Sequence, residues 1–473
     1  MKITLKNIGV FKQAEYEIGD LTIICGQNNT GKTYAAYCLY GFYDFFWKAF
    51  SIKTADKDIK NLIANGVINI DIELSKIIQE LDIACKEYVK FLPQIFASNK
   101  DYLKDAEFNI KLEDNEIDIL DTYQKKLGTA KSTLIQINKE SKQNQISIRL
   151  LIDRQEDKFD VDDVSFIKLI KHAISNAFKE IVFTNTFRRA FIASAERTGA
   201  VIFKDELNIA QNNLFRHAAK AGQNADMNPI ELIESIYGNG DYALPVRKNI
   251  DFIRKLESIS KDKSYIASNE KYKDILKDFS DIIGGTYKVG KEGLYYIPNT
   301  SSSVKLTMGE SSSSVRSMLD ISFYLNHIAQ QGDMLIIDEP ELNLHPCNQI
   351  RLARLFARLI NIGIKVFITT HSDYIIKELN TLIMLDYKNR HGNAKSILKK
   401  YEYKESELIN YKQVKVFISE KKLQLIGGNA RKIKLQCLSS AEIDEFYGIQ
   451  AESFDETIIK MNKIQEAIIL GDE

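Results

Sequence analysis

The sequence predicts an α/β fold, in which the two ends of the chain form one mixed sheet with helices on both faces and a helical insertion separates them. Leu21–Cys25 is a continuous apolar run that leads into a glycine-rich loop, as expected of a strand buried on both faces of a mostly parallel sheet. Residues 318–385 alternate between helical and strand patterns, which is typical of a parallel sheet covered by helices. Residues 51–282 are charged and show mainly helical periodicity, so we expect the insertion there.

The composition is that of a globular protein with more than one domain. The chain has 473 residues, of which 44% are hydrophobic and 27% charged, far from the composition of disordered chains. The 64 basic and 64 acidic side chains cancel, so the overall charge gives no argument for a nucleic-acid or anionic-membrane partner. Any such contact would need a local patch.

The cysteines and the longest apolar tract bear on where the protein works. The cysteines are scattered and include no CxxC pair, which favours a reducing, cytoplasmic environment. Asp44 and Lys48 interrupt the apolar tract of residues 34–50, so we expect a buried aromatic helix rather than a membrane span. The cysteines are Cys25, Cys38, Cys85, Cys347 and Cys437.

The elements outside the glycine-rich loop follow from local periodicity. Alternation over residues 3–18 predicts two short strands, and a helix should begin at Lys32. Apolar residues from Leu74 to Leu92 recur every three or four positions before Pro93, which predicts one amphipathic helix. Alternation over residues 146–152 predicts an isolated strand. A second helical block, roughly residues 205–282, precedes "GGTYKVGKEGLYYIP", which predicts a hairpin.

These patterns divide the chain into four segments. We expect residues 1–50 and 283–390 to be the two parts of one nucleotide-type domain. Residues 51–282 should form a mostly helical insertion or lid with a few strands, and residues 391–473 a C-terminal α+β extension.

The loop "GQNNTGKT" matches the phosphate-binding pattern GxxxxGK[ST]. In such a loop, backbone N–H groups and a helix N-terminus surround an anion, the lysine reaches the outer phosphates, and the last hydroxyl coordinates Mg²⁺. The alternative is an ordinary glycine-rich turn, but the match lies between a predicted buried strand and a predicted helix, as the motif requires. The predicted nucleotide-binding residues are Gly26, Asn28, Asn29, Thr30, Gly31, Lys32 and Thr33.

Two further motifs supply the groups that hydrolysis needs. "MLIIDEP" ends a second apolar strand, where Asp338 would hold Mg²⁺ together with Thr33, and Glu339 would polarise the attacking water. The alternative is a strand that simply ends in acidic turn residues. His371 ends the next predicted strand and is a candidate γ-phosphate sensor, with a surface or capping role as the alternative.

Together these motifs resemble the ABC-type ATPases, and within them the AAA15/AAA21-like branch that includes the overcoming-lysogenization-defect (OLD) ATPases. Five stretches carry the resemblance: "GQNNTGKT", "SAERTGA", "GESSSSVRSMLDISFYL", "LIIDEPELNLHP" and "TTHSDYII". The resemblance implies an ABC-type ATPase head that binds ATP with Mg²⁺ and works as a head-to-head dimer or larger oligomer. Glu339 and His371 would then be the catalytic residues.

In that family, a signature motif contacts the nucleotide of the other subunit. Ser312, Ser313 and Ser314 would occupy this position here and open a helix at Val315 and Arg316, and serine replaces the usual pair of glycines. Serine hydroxyls and the helix dipole both favour phosphate oxygens. The alternative is a serine-rich helix cap.

Other motif residues have open roles. Asn343 and His345 match the loop that joins the two sites of the dimer, although loop packing is an equal alternative. Arg197 of "SAERTGA" would lie near the nucleotide or the interface, or form a structural salt bridge. The residue of the family's glutamine loop is not assigned.

OLD-type nucleases carry a Toprim domain after the histidine motif, with a glutamate and a DxD pair as metal ligands. Asp386 follows Leu379 without such a pair, so we expect the ATPase half only. The resemblance to two-gene anti-phage systems such as PARIS and Septu then implies a separate effector, a nuclease. The alternative is a DNA-repair or chromosome-associated ATPase that acts directly on DNA. A soluble subunit of a membrane transporter is disfavoured by the insertion and the serine signature.

The C-terminal region is locally basic. It could contact DNA or an acidic partner, but the alternation of "VKVFIS" and "RKIKLQ" is typical of a solvated strand face. The basic residues are Lys412, Lys415, Lys421, Lys422, Arg431, Lys432 and Lys434.

Overall fold

The computed structural model describes residues 1–128, 133–151, 164–203, 242–290, 293–392, 394–425 and 432–450. The chain forms two compact units. The insertion unit comprises Met1–Lys2, Phe42–Phe91 and Phe108–Arg189. The sheet unit comprises Ile3–Gly41, Leu92–Glu107 and Ala190–Glu473. The described residues of 92–107 and 190–282, which we expected in the insertion, are grouped with the sheet unit.

Strands and helices alternate along much of the chain. The strands are β1 (Lys2–Ile8), β2 (Phe11–Glu17), β3 (Leu21–Gly26), β4 (Val67–Asp71), β5 (Glu107–Lys111), β6 (Tyr123–Gly128), β7 (Thr133–Lys139), β8 (Gln145–Leu150), β9 (Ala190–Ala193), β10 (Gly285–Gly290), β11 (Gly293–Pro298), β12 (Leu306–Thr307), β13 (Met334–Asp338), β14 (Lys365–Thr370), β15 (Val414–Leu425), β16 (Lys432–Ser440), β17 (Glu442–Asp444) and β18 (Gly448–Gln450). The α-helices are α1 (Lys32–Lys48), α2 (Asp56–Asn65), α3 (Leu74–Val89), α4 (Leu92–Phe96), α5 (Val164–Phe183), α6 (Arg197–Ile202), α7 (Leu244–Arg254), α8 (Leu256–Ile259), α9 (Tyr265–Ser268), α10 (Lys273–Ile283), α11 (Ser313–Phe323), α12 (Pro346–Asn361), α13 (Asp373–Arg390) and α14 (Lys395–Lys400).

The main sheet of the sheet unit contains the strands β1, β2, β16, β15, β3, β14, β13 and β9, in that order. β3 pairs in parallel with both β14 and β15, and β13 pairs in parallel with β14 and β9. β15 and β16 are antiparallel, so the sheet is mixed. The predicted α/β fold with a mixed sheet is therefore confirmed, and the carboxyl ends of β3, β14, β13 and β9 lie along one edge.

Apolar side chains of the central strands form the core of the sheet unit. All residues from Leu21 to Cys25 and from Met334 to Asp338 are buried, as the continuous apolar runs predict. Leu21, Ile23, Cys25, Leu335 and Ile337 pack with buried residues of α10, α11, α12 and α13 in one cluster. Each fully buried Leu or Ile side chain stabilises the fold by about 1.5–3 kcal/mol relative to an exposed one. The strand ends that carry polar groups therefore belong to strands that are held by a well-packed core.

The C-terminal strands differ from the prediction. β15 lies beside β3 in the middle of the main sheet, and Val414, Val416 and Phe417 are buried. The predicted solvated strand face is therefore wrong for the first half of β15, because the strand has neighbours on both sides. The basic residues Lys421 and Lys422 in its second half are exposed, whereas Arg431 lies outside the described residues.

The insertion unit has its own antiparallel sheet, with strand order β4, β8, β7, β6. The strand predicted around residue 148 is β8, and the prediction that it is isolated was wrong. The predicted helix at residue 74 is α3, but it ends at Val89, and Leu92 and Pro93 begin α4 instead. Proline is tolerated in the first turn of a helix because the N–H groups there have no helical acceptor.

Two other predicted elements lie in the sheet unit. β10 and β11 form the predicted antiparallel hairpin. The helical block predicted over residues 205–282 falls partly on 204–241, outside the described residues, and continues as α7 to α10. Within the parts of the chain that the structure describes, no helix combines the length and the apolar composition needed to cross a bilayer.

Candidate functional site

The glycine-rich loop connects β3 to α1, and its two glycines have main-chain conformations that other residues rarely adopt. Gly26 has φ +143° and Gly31 φ +94°. A Cβ atom on Gly26 would lie 2.6 Å from the Ser419 carbonyl oxygen, and one on Gly31 would lie 2.6 Å from Val10 Cγ2. The loop therefore needs both glycines for its shape, and it exposes Asn28 and Asn29 at the N-terminal end of α1.

Lys32 folds back over this loop. Its Nζ donates hydrogen bonds to the carbonyl oxygens of Gly26 at 3.1 Å and Gln27 at 2.8 Å. Burial lowers the pKa of Lys32, and the negative charges of Glu339 and Asp338 oppose that shift. An ammonium group held by two neutral carbonyls can exchange them for phosphate oxygens, which carry full charge.

Asp338 and Thr33, the two predicted metal ligands, are brought together. Asp338 ends β13 and is buried, and its Oδ1 accepts hydrogen bonds from Thr33 Oγ1 at 3.3 Å and from Thr369 Oγ1. Oδ2 is buried and has no hydrogen-bond partner among the described residues. Burial raises the pKa of Asp338 to about 6. A carboxylate oxygen left without a donor beside a hydroxyl suits an oxygen-ligated divalent cation such as Mg²⁺.

Glu339 and His371, the predicted catalytic residues, contact each other. His371 Nε2 lies 2.9 Å from Glu339 Oε1, and His371 Nδ1 lies 3.3 Å from Lys32 Nζ. Because an ammonium group can only donate, Nδ1 accepts and Nε2 carries the proton that is donated to Glu339. This hydrogen bond lowers the pKa of Glu339. Glu339 has φ +52°, a strained conformation that is often found at functional sites.

Three residues that no sequence motif identified, Thr369, Thr370 and Glu341, hold Glu339 and His371 in position through hydrogen bonds. Glu339 N donates to the Thr369 carbonyl at 3.1 Å. Glu341 accepts from His371 N at 2.6 Å and from Thr370 Oγ1 at 2.9 Å, and burial raises its pKa. The signal was present in the sequence, since "DEPE" carries a second glutamate and "TTHS" two threonines, but only the strand register shows that they meet.

Glu196 is a further acidic residue near the predicted metal site. It follows β9, and its Oε2 accepts a hydrogen bond from Tyr37 OH at 2.8 Å. The charge of Glu196 contributes to the raised pKa of Asp338, after the larger effect of burial. The sequence analysis did not single out this residue, because nothing local shows that β9 lies beside β13.

The predicted signature serines begin α11. Ser312 is the N-cap, and its Oγ accepts from Val315 N at 3.4 Å and lies 2.8 Å from Ser314 Oγ. Ser313 Oγ accepts from Arg316 at 3.2 Å. The helix begins at Ser313, earlier than the predicted Val315, because the Ser312 hydroxyl caps it. These side-chain contacts stay within the first turn, and Ser312 and Ser313 are exposed.

The remaining motif residues either bond to their own chain or lie at its surface, and their roles stay predictions. Arg197 is 1% exposed and donates to main-chain carbonyls, including that of Glu339 at 3.0 Å. His345 caps α12 through a hydrogen bond from Cys347 N at 3.3 Å. Asn343 is exposed with φ +62°.

The C-terminal strand β15 also supports the site. Ser419 pairs with Gly26, and its Oγ donates to the Thr30 carbonyl at 2.7 Å and accepts from Gln436 at 3.0 Å. Ser419 therefore fixes the loop from a point 389 residues away in sequence.

Comparisons with known proteins bear on the whole chain. The family model AAA_15, described as an AAA ATPase domain, matches residues 1–376. No curated protein matches the chain.

Similar solved structures include three Smc head domains. A Smc head bound to the C-winged helix domain of ScpA is 12% identical, with a TM-score of 0.30 and coverage of 92% of this chain and 97% of that one. The SMC head domain from Thermotoga maritima is 10% identical, with a TM-score of 0.31 and coverage of 93% and 98%. A Smc head with an extended coiled coil, bound to the C-terminal domain of ScpA and derived from Pyrococcus furiosus, is 12% identical, with a TM-score of 0.30 and coverage of 98% of both chains.

Proposed function

Because the chain belongs to the AAA ATPase domain family, we propose that it binds and hydrolyses ATP with Mg²⁺ and that two copies meet head to head around the nucleotide. We further propose that it acts in the cytoplasm in bacterial anti-phage defence, where nucleotide-dependent assembly controls a separate effector, a nuclease.

One observation carries the hydrolytic part of the proposal, namely the convergence of five side chains at one edge of the main sheet. Lys32 and Thr33 follow β3, Asp338 and Glu339 lie at the end of β13, and His371 follows β14. These three strands are parallel neighbours, so their carboxyl ends lie together, where α/β proteins usually bind ligands.

Each of these residues has a role that its contacts support. The glycine loop and the N-terminus of α1 would surround the phosphates, with Lys32 as the point charge. Thr33 and the free Oδ2 of Asp338 would hold Mg²⁺, which would neutralise the charge that develops on the phosphates. Glu339 would accept a proton from the attacking water, and its lowered pKa keeps it ionised as a base requires.

The serine-capped start of α11 supports the dimer. Ser312 and Ser313 are exposed at a helix N-terminus, where hydroxyls and main-chain N–H groups favour an anion. Among the described residues, their side-chain hydrogen bonds stay within the first turn of α11. Their exposure is compatible with the proposed contact to a nucleotide held by another copy.

The effector and the defence role have support from the sequence only. The five motifs resemble those of the OLD-like ATPases, and the resemblance to two-gene anti-phage systems implies a separate effector. A second candidate function, direct action on DNA, has one favourable observation. Lys421, Lys422 and Lys434 are exposed on paired strands that extend past the glycine loop.

The two candidate functions differ in the partners that the protein should bind when ATP is present. We would purify the tagged chain from cells with ATP or ADP present and identify its partners by mass spectrometry. The proposal predicts an ATP-dependent second copy and a nuclease, and neither with Lys32→Ala. Recovery of only the chain and DNA, with ATP turnover that DNA stimulates and salt suppresses, would favour direct DNA action instead.

The catalytic assignment has its own test. Lys32→Ala should lose ATP binding, whereas Glu339→Gln should keep binding and lose turnover, because an amide cannot accept the proton. If both variants hydrolyse ATP at the wild-type rate, the assignment is wrong.

A further inference from the structure

Arg197 is buried directly after β9 and connects three segments through the main chain. It begins α6 directly after β9 and is 1% exposed. Its guanidinium donates to four carbonyl oxygens: Ser194 at 2.8 Å, Ser317 at 2.7 Å, Asp338 at 2.8 Å and Glu339 at 3.0 Å. One planar group therefore fixes the positions of α11 and of the end of β13 relative to each other.

Further contacts within α11 connect the Arg197 hydrogen bond to the serines at the start of the helix. Ser317, whose carbonyl binds Arg197, lies one turn after Ser314. Its Oγ is shared between the Ser314 carbonyl at 3.0 Å and the Leu342 carbonyl at 3.2 Å. The helix that begins with the signature serines is thus tied both to the carbonyls of the catalytic carboxylates and to the turn that follows them.

Asp320 is the acidic residue whose charge interacts with the guanidinium of Arg197. It lies on α11 and is 1% exposed, and neither carboxylate oxygen has a hydrogen-bond partner among the described residues. The charge of Arg197 favours the ionised form of Asp320, although burial outweighs it and raises the pKa of Asp320 to about 7. The attraction adds to the hydrogen bond that Arg197 donates to the Ser317 carbonyl, so the guanidinium stays with α11 when the helix shifts.

The other end of α11 has an irregular geometry that permits such a shift. Residues Tyr324–Ile328 form a π-helical turn directly after Phe323. The Tyr324 ring stacks on Phe191 of β9 at 4.7 Å, which anchors this end. π-helical turns are rare and are frequently found at functional sites.

We propose that Arg197 is a positioning residue that transmits contact at Ser312–Ser314 to the main chain of Asp338 and Glu339. The inference rests on the proposed function, since the contact is a nucleotide held by the partner copy. When a nucleotide contact displaces the start of α11, the Ser317 carbonyl moves with the helix. The guanidinium, which is hydrogen-bonded to both carbonyls, then moves the Glu339 carbonyl. Because Glu339 has a strained main chain, with φ +52°, a small displacement redirects its carboxylate.

This arrangement couples the two nucleotides of a dimer. The nucleotide in one copy would engage the serines of the other, and Arg197 would then align the carboxylate that acts on that other copy's own nucleotide. Binding and turnover at the two sites would be cooperative. Arg197 would itself touch neither nucleotide nor water.

The test compares Arg197→Lys with Arg358→Lys. Lysine keeps the charge but cannot reproduce the planar fork of donors. Arg358 is also buried, at 4% exposure, but pairs with Asp274 and Asp278 on α10, so it controls for the cost of changing a buried arginine. For each protein we would measure kcat, KM and the Hill coefficient for ATP, ATP-dependent self-association by ultracentrifugation, and Tm.

We expect the Arg197→Lys variant to keep self-association and a KM close to that of the wild type. Its kcat should fall about 10- to 100-fold, as displacement of a catalytic group predicts. Its Hill coefficient should fall from above unity to unity. The Arg358→Lys variant should lose only thermal stability.

Other outcomes separate this inference from the proposed function. If the wild type does not self-associate with ATP, the dimer and the coupling both fail. If it does self-associate, but the Arg197→Lys variant keeps the wild-type kcat and Hill coefficient, only the coupling is wrong. Should that variant not fold, Arg197→Gln is the second variant, since its planar amide has two N–H donors instead of five. It should lower the Hill coefficient at unchanged KM, and an unchanged Hill coefficient would overturn the coupling.

Discussion

His371 Nε2 and Glu339 Oε1 lie 2.9 Å apart, and Lys32 Nζ approaches the other nitrogen of the same imidazole at 3.3 Å. The imidazole thus joins the lysine of the glycine loop to the carboxylate proposed as the base. When Lys32 turns toward phosphate, His371 loses an ammonium donor while it keeps its contact with Glu339. The imidazole can therefore respond to the presence of the outer phosphate.

Replacement of this imidazole should slow the chemical step. In His371→Ala, Glu339 loses the hydrogen bond that orients it and lowers its pKa, so we expect kcat to fall on the order of 100-fold with little change in KM. Steady-state ATP turnover measures both. His391 is exposed and contacts the Tyr387 carbonyl, so His391→Ala is the matched control and should behave as wild type. Equal kcat in the two variants would remove His371 from the mechanism.

Acid should weaken productive binding of Mg²⁺ with ATP. Burial raises the pKa of Asp338 to about 6, so below that pH the free protein holds a neutral carboxyl that is a poor ligand for a cation. We expect kcat/KM to fall as pH decreases through about 6. A higher Mg²⁺ concentration should move the midpoint to lower pH, because the metal competes with the proton.

Thr369→Ala provides the matched variant for this pH profile. The Thr369 hydroxyl donates to Asp338 Oδ1 and favours its ionised form. Its removal should move the fall of kcat/KM at low pH to a higher pH. An unchanged midpoint would mean that a group other than Asp338 determines this fall.

Asp320 should make the stability of the protein depend on pH. Its folded pKa of about 7 exceeds the ordinary value of 3.8, so the folded state binds the proton more tightly. This group therefore stabilises the fold at low pH, and the contribution is lost as pH rises from about 4 to 7.

Asp320→Asn has no such proton to lose. Between pH 5 and pH 8 its free energy of unfolding should improve relative to the wild type by on the order of 1–4 kcal/mol. Urea unfolding at both pH values measures the difference. Parallel pH profiles for the two proteins would contradict the assignment.

Ser419 should matter for nucleotide affinity more than for turnover. Ser419→Ala removes the hydrogen bond to the Thr30 carbonyl, which is worth about 1 kcal/mol, and we expect KM for ATP to rise about fivefold at unchanged kcat. The exposed Ser258, which bonds the Lys255 carbonyl, is the control position for the same change. A fall in kcat with constant KM would show that β15 acts on the chemistry instead.

The sequence predicts the parts of the site that are local. Leu21–Cys25, the glycine loop and the start of α1 are adjacent, so periodicity and turn chemistry suffice for them. The positions of Asp338 and His371 at neighbouring strand ends follow from the alternation of helix and strand. Their roles in catalysis stay predictions.

The residues that sequence reasoning missed depend on contacts between distant segments. Glu341 and Thr370 meet because β13 and β14 are in register, with Asp338 opposite Thr369. The sequence placed Arg197 near the site, but its main-chain acceptors come from three segments that only the fold brings together. A carbonyl acceptor leaves no trace in residue type, so no motif could reveal it.

Two errors have simple physical causes. Alternation in "VKVFIS" indicates a strand but cannot show whether neighbours cover both edges, so β15 was expected at the surface. Pro93 can end one helix or begin the next, and the apolar spacing continued across the break between α3 and α4.

The position of β15 beside β3 also affects how the chain folds during synthesis. β3 is made early, but its partner Ser419 follows 389 residues after Thr30. At about 5–20 residues per second, a ribosome needs roughly 20–80 seconds to make that interval. Throughout that time β3 has an unpaired, apolar edge that can pair with the wrong strand. The glycine loop therefore gains its contact with Ser419 only after most of the chain has been made, and we expect nascent chains to need protection of β3 until then.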